Sequence, residues 1–173
     1  LRQAVLDADR VGFVLLPAPG DELVVRRQFG RIAEVEFAVH QAPGAVVGID
    51  ASPDVVATAV AARHEAGLDA TTVTLAVGDV YALDADDASF DVVMSTFGVM
   101  FTPDQDRAAA ELARVCKSGG RIGLANWTPE SFVGQVFKTI GRYVPPAPGL
   151  RSPALWGTRA RLDELFGGTA REI

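Results

Sequence analysis

Cysteine is nearly absent from this chain of 173 residues. Cys116 stands alone, so no internal disulfide can form, and a reducing, cytoplasmic setting fits the sequence. Basic residues are outnumbered: 16 Lys and Arg face 22 Asp and Glu, for a formal net charge of −6. That excludes a basic footprint for nucleic acid, and nothing in the sequence resembles a polybasic membrane patch. No apolar run reaches the roughly 20 residues of a membrane span. No signal peptide is visible. The two histidines, His40 and His64, lack metal-ligand spacing, and no metal is expected. The sequence holds no G-x-S-x-G, no Walker loop and no Ser/His/Asp signature. Upstream of Gly44 there is no Gly-x-Gly either.

What is present is enough apolar material for a core. Hydrophobic residues make up 49% of the chain, and the mean hydropathy is +0.20. Length alone predicts a single domain over 1–173. The chain starts at Leu1 and stops at Ile173, just after a helix and two glycines. It therefore reads as a truncated piece of a larger domain.

From Gly44 onward, strand and helix signals alternate. Strands are expected at Val46–Ile49, Thr72–Val77, Asp91–Ser95 and Arg121–Ala125, each apolar or β-branched. A helix is expected from Pro53 to about Ala66, capped by Ser52, with Val55, Ala59, Ala62 and Ala66 on one stripe. Thr102-Pro103-Asp104-Gln105 reads as a capping box with proline at the first helical position. The helix it opens aligns Ala108, Leu112 and Val115 and closes at Lys117-Ser118-Gly119-Gly120. Thr128-Pro129-Glu130 is expected to cap a helix to about Tyr143, and a last helix runs from about Thr158 to Phe166. This alternation predicts an α/β fold: a doubly wound, mostly parallel, Rossmann-like sheet. Ligands in such sheets sit outside the carboxyl ends of the strands.

Four strand ends carry candidate chemistry. Asp50 follows the first of these strands, where a carboxylate can accept both hydroxyls of a ribose; the plain alternative is a solvated acid at a helix start. In Gly78-Asp79-Val80, the carboxylate can accept an adenine amine and the next N–H can meet a ring nitrogen, or the segment is an ordinary turn. Ser95-Thr96-Phe97-Gly98 ends a strand with a glycine for close approach and a ring for stacking, or is a packed strand exit. Asn126-Trp127 either walls a substrate pocket or packs in the core. Phe97, Met100, Trp127 and Phe132 hint at an apolar or aromatic pocket. Asp84, Asp86, Asp87 and Asp91 read as a solvated turn, since no calcium-loop pattern is present. Cys116 reads as a structural thiol on a helix.

Residues 44–168 resemble the class I S-adenosylmethionine-dependent methyltransferases, closest to the small-molecule branch of the ubiquinone/menaquinone type. VVGIDASPD (46–54), AVGDVYAL (76–83), SFDVVMSTFGVMF (89–101) and RAAAELARVCKSGGRIGLANW (107–127) carry the likeness, in the family's order. The resemblance implies S-adenosylmethionine as cofactor, held by Asp50, Ala51, Gly78, Asp79, Val80, Ser95, Thr96 and Phe97. It implies methyl transfer to a small-molecule acceptor and no obligatory catalytic base.

One family motif is missing, a D-x-G-x-G-x-G turn after the first strand. Ala4-Val5-Leu6-Asp7 looks like that strand's end, but Ala8-Asp9-Arg10-Val11-Gly12 follows. Residues 1–43 are thus atypical; a divergent domain, a remodelled first unit and a frameshifted sequence all stay open for 8–43. Two other functions also stay open: a degenerate, inactive methyltransferase-like module, and an NAD-binding oxidoreductase. The latter also needs a Gly-x-Gly-x-x-Gly turn. Acceptor identity and oligomeric state are not legible.

Overall fold

A computed structural model describes residues 12–16 and 46–173. Five strands form one sheet: β1 (Gly12–Leu16), β2 (Val46–Asp50), β3 (Val73–Val77), β4 (Phe90–Thr96) and β5 (Cys116–Ala125). Their order across the sheet is β3-β2-β1-β4-β5. Helix α1 (Pro53–Glu65) joins β2 to β3, and α2 (Gln105–Val115) joins β4 to β5. Helices α3 (Phe132–Tyr143) and α4 (Arg159–Phe166) follow.

β2 and β3 pair in parallel, as do β4 and β5. β1 lies between the two pairs and is antiparallel to both β2 and β4. Hence β2, β3, β4 and β5 all run the same way, and their carboxyl ends share one edge of the sheet. Gly12, the first residue of β1, pairs with Asp50 at that edge. The centre of the sheet is therefore filled by a strand that enters where its neighbours leave. The candidate strand end Ala4–Asp7 lies outside the described residues.

Alternation along the strands gives the sheet two apolar faces. Val93 joins Ile49, Val80, Leu83, Met100, Leu112, Val115 and Trp156 on one face, while Val92 and Met94 pack with Val46 and Val73 on the other. The stripe of α2 behaves as its spacing predicts: Ala108, Leu112 and Val115 are fully buried. The stripe of α1 is weaker, since Ala62 is buried, Val55 and Ala59 are half-buried and Ala66 is exposed.

Several helix ends differ from expectation. Asp104, not Thr102, caps α2 by accepting the Arg107 N–H at 3.0 Å. The Thr102 hydroxyl donates instead to the Val99 carbonyl, closing a one-turn 3-10 helix over Val99–Phe101. Ser131, not Thr128, caps α3 by accepting the Gly134 N–H. The Lys117–Gly120 segment is a bulge within β5 and not a helix terminus: Cys116 pairs with Phe90, and pairing resumes at Arg121 with Val92. Cys116 is accordingly the first residue of β5. Ser52 caps α1 as its position predicts, and Thr158, expected as the first residue of the last helix, is its cap.

Candidate functional site

The strand-end edge has two halves. In the first, β2 ends at Asp50, which is 8% exposed. One of its carboxylate oxygens accepts the Ser52 N–H at 2.8 Å, which ties the acid to the start of α1. Ala51, between them, is exposed. The next strand leaves through Gly78, whose N–H donates to the Asp50 carbonyl at 3.0 Å. A Cβ at Gly78 would lie 2.7 Å from the Ile49 side chain, so only glycine lets this turn lie flat against β2. Asp79 follows, exposed, with one carboxylate oxygen accepting the Tyr81 N–H at 2.9 Å. Val80 is turned into the core at 5% exposure. Parallel pairing thus sets two carboxylates at adjacent strand ends, one sheltered and one open.

The second half is aromatic. At the end of β4, the Ser95 hydroxyl is buried and accepts the Val99 N–H at 3.0 Å. Thr96 pairs with Ala125 in the last rung before the edge. Phe97 then adopts φ 61°, a left-handed conformation uncommon outside glycine. Its N–H donates to the Ala125 carbonyl at 2.8 Å. Its ring stacks on Trp127, centroids 4.6 Å apart and planes within 19°. The strain of about 1–3 kcal/mol at such a residue is held by that stack and bond, and such strain clusters at functional sites.

Beside the stack, the Asn126 amide donates to the Trp156 carbonyl at 3.3 Å. Asn126 Oδ1 and Trp156 Nε1 are buried and make no hydrogen bond among the described residues. Trp156 sits in a 3-10 turn, Pro153–Gly157, that reaches back to the β5 end. A Cβ at Gly157 would meet the Trp127 carbonyl at 2.4 Å, so glycine permits the approach.

An ionic clasp pins this turn and α4 to the start of α2. Arg161, 4% exposed, donates to Gln105 at 3.0 Å, Asp106 at 2.8 Å and Glu164 at 2.8 Å. Gln105 in turn donates to the Ser152 carbonyl. The Arg161 guanidinium holds the Asp106 carboxyl below its usual range. Arginine is seldom fully buried, and here tertiary packing with Gln105, Asp106 and Glu164 buries Arg161.

The eight candidate residues fall on this edge, though they play unequal parts. Asp50, Ala51, Gly78 and Asp79 are gathered in the first half; Ser95, Thr96 and Phe97 line the second; Val80 is core. Of the proposed aromatic pocket, Phe97 and Trp127 meet, Met100 is fully buried, and Phe132 stands 82% exposed on α3. Asp87 pairs with Arg114 and Asp91 with Lys117, both at 2.7 Å. Among the described residues, no three His, Cys, Asp or Glu side chains are grouped to hold a metal. Burial pushes the Cys116 thiol up, away from thiolate chemistry.

The fold is that of the class I methyltransferases, a Rossmann-like sheet, as the likenesses to known proteins show. The chain belongs to the methyltransferase domain family, whose pattern matches residues 30–124. It is 38% identical over 140 residues to an uncharacterized protein of Mycobacterium tuberculosis, covering 80% of this chain and 50% of that one. It is 33% identical over 108 residues to a phosphatidylethanolamine N-methyltransferase of Cereibacter sphaeroides, covering 59% of this chain and 53% of that enzyme. In three dimensions it resembles the YcgJ protein of Bacillus subtilis, with a TM-score of 0.58, 24% identity and coverage of 75% of this chain and 55% of the other. The chain spans about half the length of the curated relatives it matches.

Proposed function

We propose that this edge binds S-adenosylmethionine and serves methyl transfer to a small-molecule acceptor. The observation that carries the reading is the pair Asp50 and Asp79 at the parallel ends of β2 and β3, where the Gly78 N–H donates to the Asp50 backbone carbonyl. A nucleoside presents donors that suit them, two ribose hydroxyls and one exocyclic amine. In this reading Asp50 and Ala51 face the ribose. Gly78, Asp79 and the Val80 backbone face the base. Ser95, Thr96 and Phe97 bound the site on its far side.

The cofactor supplies the electrophilic methyl; the chain's part is orientation and exclusion of water. The Phe97–Trp127 stack offers an apolar wall against which an acceptor with a flat or aliphatic body can lie. The quinone-type branch is one such acceptor class. A membrane-borne amine of the kind named in the Cereibacter relative is another. Both suit a cytoplasmic enzyme.

The described residues fit the nucleoside better than the amino-acid moiety. Among the described residues, the edge between β2 and β4 carries the start of β1, and no helix N-terminus is described there. Such a terminus is a ready site for a carboxylate. The site is therefore read as lopsided, with nucleoside affinity concentrated at β2 and β3.

Calorimetry of the purified chain with S-adenosylmethionine, its demethylated product and NAD tests the reading. Binding of the first two in preference to NAD is expected. Preference for NAD would move the chain to the oxidoreductases; binding of none would leave a degenerate module.

A further inference from the structure

The two acids of the strand-end edge are held by different means. The Asp50 carboxylate accepts the Ser52 N–H, at the start of α1. Asp79 is exposed, on a turn that closes on itself: its carboxylate accepts the Tyr81 N–H at 2.9 Å and its carbonyl accepts the Ala82 N–H at 3.0 Å. No helix or strand lies between Val77 and Phe90 to fix that turn in place.

Helix α2 fixes it from the side. At 100° per residue, Arg107, Glu111 and Arg114 fall within about 60° of one another, beside the buried stripe of Ala108, Leu112 and Val115. Glu111 accepts the Leu83 N–H at 2.7 Å and two bonds from Arg114 at 2.7 and 2.8 Å. Arg114 donates onward to the carbonyls of Leu83 at 3.1 Å and Ala85 at 2.8 Å. One ion pair thus holds both backbone polar groups of Leu83, which is 4% exposed. Closer to Asp79, Arg107 donates to the Tyr81 carbonyl at 3.3 Å, and its guanidinium lies 5.0 Å from the centre of the Tyr81 ring. The Tyr81 hydroxyl accepts the N–H of Asp104, the cap of α2, at 2.9 Å. These bonds join residues 23 to 31 positions apart, so they tie the turn to the helix and not to itself.

We propose that the Arg107–Glu111–Arg114 flank of α2 positions Asp79 and so sets the preference of the site for a base with an exocyclic amine, an inference that rests on the nucleoside reading of the edge. An exposed carboxylate discriminates between bases when it is held where the amine arrives; one that swings with a loose turn gives back part of that contact in ordering cost. Asp79 makes the selective contact. Arg107, Glu111 and Arg114 act through the turn as positioning residues.

Calorimetry of the full chain with adenosine and with purine riboside, which lacks only the exocyclic amine, tests it. The parent chain should prefer adenosine by about tenfold or more, the scale of a hydrogen bond to a carboxylate. Asp79→Ala should erase that preference. Glu111→Ala leaves Asp79 in place but releases Leu83, and should reduce the preference to about threefold or less. In the Asp79→Ala chain, Glu111→Ala should change the ratio of the two affinities by no more than about twofold, since the contact it positions is gone. A brace for the fold alone would weaken both nucleosides together and keep the preference; that result would overturn the proposal and leave the nucleoside reading standing. No binding of adenosine by the parent chain would overturn that reading and the proposal with it. Should Glu111→Ala not fold, Arg107→Met, at an exposed residue, decides in its place. It should lower the preference by about threefold, the scale of an ordinary hydrogen bond, and an unchanged preference would overturn the proposal.

Discussion

The β2–β3 half of the strand-end edge and the β4–β5 half are built from the same parallel pairing, and they differ in nearly everything else. The first presents carboxylates, an exposed turn and a glycine held flat by Ile49. The second presents stacked rings, a left-handed Phe97 and buried amide and indole groups. The first is tied together by short backbone bonds across neighbouring strand ends. The second is held from a distance, through Trp156, Arg161 and α4. Under the proposed function the difference becomes a division of labour: polar groups for a nucleoside on one side, apolar walls for the reacting partner on the other. β1 sits between them and reverses the chain direction, so the halves are not joined by a parallel strand.

The largest expected effect falls on the second half. Trp156→Ala removes a fully buried indole that packs on Phe166 at 6.3 Å. It should cost about 3–5 kcal/mol in urea unfolding, the range for large aromatic truncations. A loss below about 1 kcal/mol would show that this half does not hold α4 in place. Next comes Asp50→Ala, expected to weaken nucleoside binding by about 1.5–3 kcal/mol in calorimetry, the scale of hydrogen bonds to a charged acceptor. Its stability should fall as well, since the Ser52 N–H loses its carboxylate partner. An affinity equal to that of the parent chain would break the assignment of the polar half.

A smaller effect sharpens the boundary between the halves. Phe97→Ala should lose the stacking increment of about 0.5–1.5 kcal/mol together with some apolar burial, and its nucleoside affinity should fall by less than that of Asp50→Ala. If the two variants lose equal affinity, the ring belongs to the nucleoside side. Smallest of all is the response to acid. Hydrogen bonds from the Thr71 hydroxyl and the Thr72 and Thr71 backbone lower Asp69 to about 2. Bonds from Arg161 and Arg114 lower Asp106 and Glu111. A lowered carboxylate contributes stability that is complete above its unfolded value and is lost as pH falls through its folded value. The unfolding midpoint should therefore hold down to the ordinary carboxylate range near about pH 4 and decline below it. A midpoint that rises on acidification would contradict these bonds.

Much of this was legible in the residues. Alternation from Val46 to Phe166 gives the element order, because a buried parallel strand and an amphipathic crossover helix have different periods. Asp50 and Asp79 are visible because a polar residue after an apolar run marks a strand end. Direction is another matter. Gly12–Leu16 is a short apolar run, and nothing local distinguishes a parallel from an antiparallel central strand; its neighbours decide. The shifted caps have a local cause: Thr102 and Thr128 spend their hydroxyl or carbonyl on the turn before the helix, leaving Asp104 and Ser131 to cap. The burial of Arg161 depends on what packs where and has no signature along the chain.

The central claim is that affinity for the nucleoside resides in the β2–β3 half. Calorimetric dissociation constants of adenosine and S-adenosylmethionine for the same preparation test it most directly. The two should agree within about tenfold, so that the methionyl group adds less than about 1.4 kcal/mol. A preference of a hundredfold or more for the full cofactor would contradict the account. It would place the dominant contacts in residues other than Asp50, Gly78 and Asp79.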